Sequence, residues 1–89
     1  MHNKNLTVGV IGGAGHVGLP LSLVNDKKGF TTHIIDINQA TISLLKDNIV
    51  PFVEKGATEL LKELNGDNKL FYHTDYSILP ECDVLILTV

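Results

Sequence analysis

In the run Val8-Gly9-Val10-Ile11-Gly12-Gly13-Ala14-Gly15-His16-Val17-Gly18, glycines 13, 15 and 18 are spaced as G-x-G-x-x-G, and Asp36 follows 18 residues after the last of them. Residues of this kind act through backbone rather than side chain. Gly13 permits a tight turn off a strand, Gly15 lets a pyrophosphate approach the main chain, and Gly18 lets the following helix pack closely on the sheet. A helix that opens here aims unpaired N–H groups and the positive end of its dipole at an anion, so no basic side chain is required. The carboxylate of Asp36 can accept hydrogen bonds from adenosine ribose hydroxyls and repels a 2′-phosphate; the chain has no arginine to receive that phosphate, so the pattern favours NAD over NADP. The candidate cofactor-binding residues are Gly12, Gly13, Ala14, Gly15, His16, Val17 and Gly18 in the turn, with Asp36, Ile37 and Asn38 at the end of the second strand.

A glycine triplet alone is a weak signal, because glycine-rich turns also arise for packing. The neighbouring elements supply the context. Leu6 to Ile11 is a β-branched apolar run that reads as a strand buried on both faces. From His16 to about Lys28, Val17, Leu21 and Val24 recur at helical spacing, Pro20 falls near the first turn and Gly29 closes the helix. Thr31 to Asp36 reads as a second strand, and Ala40 to Lys46 as a helix with Asn38 as its cap and Ile42, Leu45 and Ile49 as its buried stripe. Pro51 interrupts the pattern, a third helix runs from about Ala57 to Leu64, and Asn65-Gly66-Asp67-Asn68 is a turn. Leu70 to His73 is a short strand, the stretch through Pro80 has room for a helical turn, and Val84 to Val89 is an apolar fourth strand. The alternation predicts an α/β, Rossmann-type doubly wound parallel sheet, first half, in the strand order 3-2-1-4. Residues 1–89 are then the N-terminal part of an NAD-binding domain, with catalytic and C-terminal domains absent.

Composition excludes several classes. Hydrophobic residues are 44% and charged residues 19%, a globular profile. At 89 residues, a chain buries only about 60 to 65% of its unfolded surface, so a larger parent or a partner surface is expected, a homo-oligomer being one such surface. A net charge of −3 with no arginine speaks against nucleic acid as a partner. No apolar run approaches the roughly 20 residues that a membrane span needs. The polar start, Met1 to Asn5, lacks a signal core, so a cytoplasmic location is expected. One cysteine, Cys82, allows neither an internal disulfide nor a metal site.

The extended motif Gly13-Ala14-Gly15-His16-Val17-Gly18-Leu19-Pro20-Leu21, with Asp36-Ile37-Asn38, resembles the UDP-glucose/GDP-mannose dehydrogenase family. Pro51-Phe52-Val53-Glu54-Lys55-Gly56, Glu59-Leu60-Leu61, Thr74-Asp75 and Cys82-Asp83-Val84 fall where that family has its own P-[FY]-x-E-x-G, T-[TD]-D and A-D-V elements. The resemblance spans essentially the whole chain, and the P-F-x-E-x-G form leans toward N-acetylated UDP-hexosamine dehydrogenases. It implies NAD as cofactor and, in a complete parent, two-step oxidation of a UDP-sugar C6 alcohol to a uronate through a cysteine in a G-F-G-G-x-C-x-x-K-D motif. That motif is absent here, so no residue of this chain is assigned a catalytic role.

Several residues carry a blander reading beside a functional one. Cys82 lacks the context of the family's nucleophile and reads as a small buried thiol. Thr41 stands near a position where many relatives carry Lys or Arg, which implies a weaker hold on the adenosine end. Asn25 and Asp26 replace the small or apolar residues usual in the first helix, which implies looser packing. His16 reads as a turn residue near the pyrophosphate; His2, His33 and His73 lack ligand spacing and read as exposed or structural. The polar face of the third helix reads as solvated, with Glu54 a ligand contact through its motif alone. Two other functions share the opening motif: a different NAD-dependent dehydrogenase, such as one acting on hydroxyacids, and a non-catalytic nucleotide-sensing module. The Pro51 to Gly56 element argues against the first, and sequence beyond Val89 would separate the second.

Overall fold

The computed structural model describes residues 6–88. Strand β1 (Thr7–Ile11) leads into helix α1 (Gly18–Lys27), strand β2 (Thr31–Ile35), helix α2 (Gln39–Lys46), helix α3 (Ala57–Asn65) and strand β3 (Leu70–His73). A 3₁₀ turn (Leu79–Glu81) and strand β4 (Val84–Leu87) follow. All strand pairs are parallel and the order is β3-β2-β1-β4. Gly9 lies opposite His33 on one side and Leu85 on the other, while Ile11 lies opposite Ile35 and Leu87. β1 is therefore central, and its carboxyl end is where the connections diverge to the two sides of the sheet. Such a divergence is the place where open α/β sheets form their binding crevice.

The core lies between the sheet and the helices: Leu19 and Leu23 of α1, Ile34 of β2, Ile42 and Leu45 of α2, Leu61 and Leu64 of α3, and Leu70 of β3. The helices obey their local signals. Asn38 caps α2 by accepting from the Thr41 amide at 3.1 Å, and Gly29 takes the left-handed conformation, φ 100, that ends α1. Asn65 joins three elements: its Nδ2 donates to the Leu45 carbonyl at 2.9 Å and to Asn48 Oδ1 at 2.7 Å, while its Oδ1 accepts from the Tyr72 hydroxyl.

Two buried stripes differ from the sequence expectation. In α1 the inward residues are Gly18, Leu19, Ser22, Leu23 and Asp26, whereas Val17 and Val24 are exposed. The helix starts at Gly18 rather than His16, and Gly18 is pressed against the turn before it, which rotates the positions four apart from it inward. In α2, Ile42 and Leu45 are buried but Ile49 is exposed. The helix stops at Lys46, Asn48 turns the chain with φ 65, and Val50 packs on the core instead. β4 ends at Leu87, and Val89 lies outside the described residues, as does His2. Val84, Leu85 and Leu87 of β4 are exposed: β4 lies at the edge of the sheet, and among the described residues no helix packs extensively on its faces. No helix among those residues is long and apolar enough to cross a membrane.

Candidate functional site

The glycine segment joins β1 to α1 in a tight turn, and the burden on each glycine can be read from its surroundings. Gly12, not Gly13, supplies the left-handed backbone, with φ 80, and a Cβ there would lie 2.5 Å from Thr88 Oγ1. The sequence reading put the tight turn on Gly13; its constraint is instead packing, since a Cβ would meet the Val10 carbonyl oxygen at 2.8 Å and Ile34 Cγ2 at 3.0 Å. A Cβ on Gly18 would lie 2.2 Å from the Gly12 carbonyl oxygen, so the close approach at this glycine is to the turn itself, while Leu19 and Leu23 pack the helix on the sheet. At Gly15 a Cβ would meet only the Gly12 carbonyl oxygen, at 3.5 Å, and the backbone is open on its outer side.

Hydrogen bonding sorts the turn's amides into used and free. The Gly12 and Gly13 amides donate to the Ile35 carbonyl, the Gly15 amide to the Gly12 carbonyl, and the Ala14 amide to Asp36 Oδ2 at 3.2 Å. Among the described residues, the amides of His16, Val17 and Gly18 donate to no protein acceptor. Three successive donors at the start of a helix can hold an anion's oxygens. Asp36 thus faces the turn, and its Oδ1 accepts from the Asn38 amide at 3.0 Å. Each carboxylate oxygen keeps capacity for a further donor such as a ribose hydroxyl.

These groups border a cleft of about 300 Å³ lined by Ala14, Gly15, His16, Asp36, Asn38, Thr41, Pro51 and Phe52. Of the sequence candidates, Ala14, Gly15, His16, Asp36 and Asn38 line it. Gly12, Gly13 and Gly18 do not line it, and Val17 and Ile37 are exposed to solvent at 63% and 72%. Pro51 and Phe52 were not among the candidates. Phe52 stacks on His16 with ring centroids 4.3 Å apart, and only the folded α2–α3 connection brings the two together. Thr88 was also missed: its hydroxyl donates to the Ile11 and Gly12 carbonyls at 2.9 and 3.1 Å and so pins the turn. The rule that sites gather at strand carboxyl ends is the one signal that pointed to Thr88. Glu54 lies outside the cleft, along a smaller groove with Pro20, Leu23 and Leu60.

The cleft has no lysine in its lining and the chain has no arginine, and a diphosphate bound to backbone amides with a ribose at Asp36 fits it. Among the described residues there is no group of three potential metal ligands. Cys82 is half-buried, and burial, then Asp83 and Glu81, push its thiol above the usual range, which disfavours the reactive thiolate.

Away from the cleft, His33 and His73 face each other across β2 and β3, Nδ1 to Nε2 at 2.7 Å, with Phe71 stacked on His33. Burial lowers both pKa values, and for His33 the neighbouring His73 lowers it further. A basic group depressed by folding is protonated first in the unfolded chain, so its effect is to reduce stability as pH falls below about 6.5. Replacing His73 by glutamine is expected to flatten that part of the stability profile in urea denaturation between pH 7 and 5; an unchanged slope would show that the pair does not titrate on folding.

The parallel order, the glycine turn and the facing acid define a Rossmann-type dinucleotide-binding domain. Residues 6–89 match the NAD-binding domain of the UDP-glucose/GDP-mannose dehydrogenase family, and the chain belongs to that family. It is 30% identical over 78 residues to the UDP-glucose 6-dehydrogenase YwqF of Bacillus subtilis (strain 168), a match covering 86% of this chain and 18% of that protein. The UDP-N-acetyl-mannosamine dehydrogenase Cap5O of Staphylococcus aureus is similar in structure, with TM-score 0.83 and 32% identity over 93% of this chain and 19% of its own. A ternary complex of GDP-mannose dehydrogenase from Pseudomonas aeruginosa shares the fold, with TM-score 0.85 and 24% identity over 92% of this chain and 19% of that one. The chain therefore spans about a fifth of the length of these relatives.

Proposed function

We propose that this chain holds the ADP half of NAD for a nucleotide-sugar dehydrogenase, with the diphosphate on the turn Gly12 to Gly18 and the adenosine ribose on Asp36, flanked by Ile37 and Asn38. The observation that carries the reading is the direction of Asp36: its carboxylate turns toward the glycine turn, 3.2 Å from the Ala14 amide, in a cleft that no lysine or arginine lines. His16, Val17 and Gly18 offer amides to the phosphates, Gly15 leaves the approach open, and Gly12, Gly13 and Gly18 keep the turn tight. Bound NAD supplies a hydride acceptor; the part of this chain is to place it and to discriminate against a 2′-phosphate.

In the complete protein the substrate is a UDP-sugar, of the UDP-glucose or UDP-N-acetylhexosamine type, whose C6 alcohol becomes a carboxylate. The kinship with UDP-glucose and UDP-N-acetyl-mannosamine dehydrogenases at 30% and 32% identity supports that class, as does the Pro51-Phe52-Val53-Glu54-Lys55-Gly56 segment. A uronate product suits polysaccharide assembly from cytoplasmic sugar nucleotides. Turnover needs a nucleophile that this chain does not supply, so the chain alone is expected to bind cofactor without oxidising sugar. Calorimetric titration with NAD and NADP is the test: NAD should bind at least about tenfold more tightly, a difference of about 1.4 kcal/mol. Equal affinities would remove Asp36 as the discriminating group.

A further inference from the structure

We propose that the stack of His16 on Phe52 is a clamp that holds the far wall of the cleft against the glycine turn, making Phe52 a positioning residue for the nucleotide. The proposal rests on the cofactor reading above. Its starting observation is how little else holds that wall. From Pro51 to Gly56, every residue is exposed except Phe52, and Val53 is fully so. Among the described residues no backbone hydrogen bond ties residues 50–53 to the sheet or to the glycine turn; the nearest bonds are local, from Ile49 to Leu44 and from Ala57 to Glu54. Side chains must therefore do the holding. Phe52 packs on the core cluster with Val50 and Leu60 and stacks on His16 with an interplanar angle of 28°. His16 comes from the turn itself, next to Gly15, and is otherwise exposed.

The wall and the turn are thus joined at the cleft by this ring pair, beside the packing of Val50 and Phe52 on the core cluster. Without it, the α2–α3 connection is held to the turn less firmly, and a ligand must spend part of its binding energy on re-forming the cleft. An aromatic pair of this geometry contributes enough that its loss is expected to weaken binding roughly three- to tenfold. The clamp needs a flat ring at position 16, not specifically an imidazole.

Calorimetric titration of NAD into the wild-type chain, Phe52→Leu, His16→Leu, His16→Phe and the Phe52→Leu/His16→Leu double variant tests this. The two leucine variants should each lose roughly three- to tenfold in affinity, His16→Phe should stay within about twofold of wild type, and the double variant should lose little more than either single one. His16 is exposed and lies outside the core cluster, so His16→Leu should remain folded even if Phe52→Leu does not. Wild-type affinity in His16→Leu, losses that multiply in the double variant, or failure of His16→Phe to rescue would each overturn the clamp while leaving the cofactor reading intact. A wild-type chain that binds no NAD would overturn both.

Discussion

Replacing Gly18 by alanine should cost about 3 kcal/mol of folding stability, whereas the same change at Gly15 should cost less than about 1 kcal/mol. The difference lies in what each new methyl group meets. At position 18 it would lie 2.2 Å from the Gly12 carbonyl oxygen and 2.7 Å from Gly13 Cα. Both are backbone atoms in a turn already tied to β2 through the Ile35 carbonyl and to Thr88. Neither can move without breaking those bonds. At position 15 the nearest atom is 3.5 Å away, an ordinary contact. A small domain has a total stability of only about 0.05–0.15 kcal/mol per residue, so the Gly18 loss is a large share of it. Urea denaturation of the two variants side by side is the measurement, and equal midpoints would show that the helix does not press on the turn as described.

Asp26→Asn should stabilise the chain, by an amount that grows from almost nothing near pH 4 to about 2–4 kcal/mol at pH 8. Asp26 is 2% exposed, and among the described residues neither carboxylate oxygen accepts a hydrogen bond. The group it faces is another carboxyl, Asp67, which can accept from Asp26 only while Asp26 carries a proton. Burial, then Asp67, push the Asp26 pKa up from 3.8 to about 7, with Lys69 acting in the opposite direction. A carboxyl whose pKa rises on folding stays protonated in the folded chain after the unfolded chain has ionised. Its stabilisation is complete below pH 3.8 and is lost as pH rises toward 7. Asparagine keeps the shape, cannot ionise and can donate to Asp67 at any pH. Denaturation midpoints at pH 4 and pH 8 give the result; a variant no more stable than wild type at pH 8 would mean that Asp26 finds a partner in solution. The His33–His73 pair acts with the opposite sign below about 6.5, so the pH dependence of the Asn variant should show the histidine contribution more clearly.

The framework of the fold was legible because each element carried its own local signal. The β-branched run of β1, the Asn38 cap, the Gly29 stop and the Leu61–Leu64 stripe all depend on neighbours close in sequence, and the strand order 3-2-1-4 is the one expected for the first half of a fold that opens with this glycine motif. The rotation of α1 was not legible. Apolar spacing favoured Val17, Leu21 and Val24, but the contact of Gly18 with Gly12 and Gly13 decides which side faces inward, and that contact exists only once the turn is folded. The same holds for Asp26. Its type argued for looser packing, while its burial beside Asp67 depends on where the turn after α3 meets the end of α1.

The candidate site divides along the same line. The glycines and Asp36 follow the two strands of one regular strand–helix–strand unit whose geometry is nearly constant, so their meeting could be anticipated from spacing. Phe52 and Thr88 reach the turn through an irregular connection and through β4, for which no spacing rule exists. His33 and His73 lack ligand spacing in sequence but are brought to 2.7 Å because β2 and β3 are neighbours in register.

The most direct measurement is the NAD affinity of the wild-type chain beside Gly15→Val and Asp36→Ala, read by isothermal titration with folding checked in each sample. The wild-type chain should bind, and both variants should stay folded and lose binding, the first by filling the open side of the turn and the second by removing the ribose acceptor. Unaltered affinity in both folded variants would contradict the assigned site.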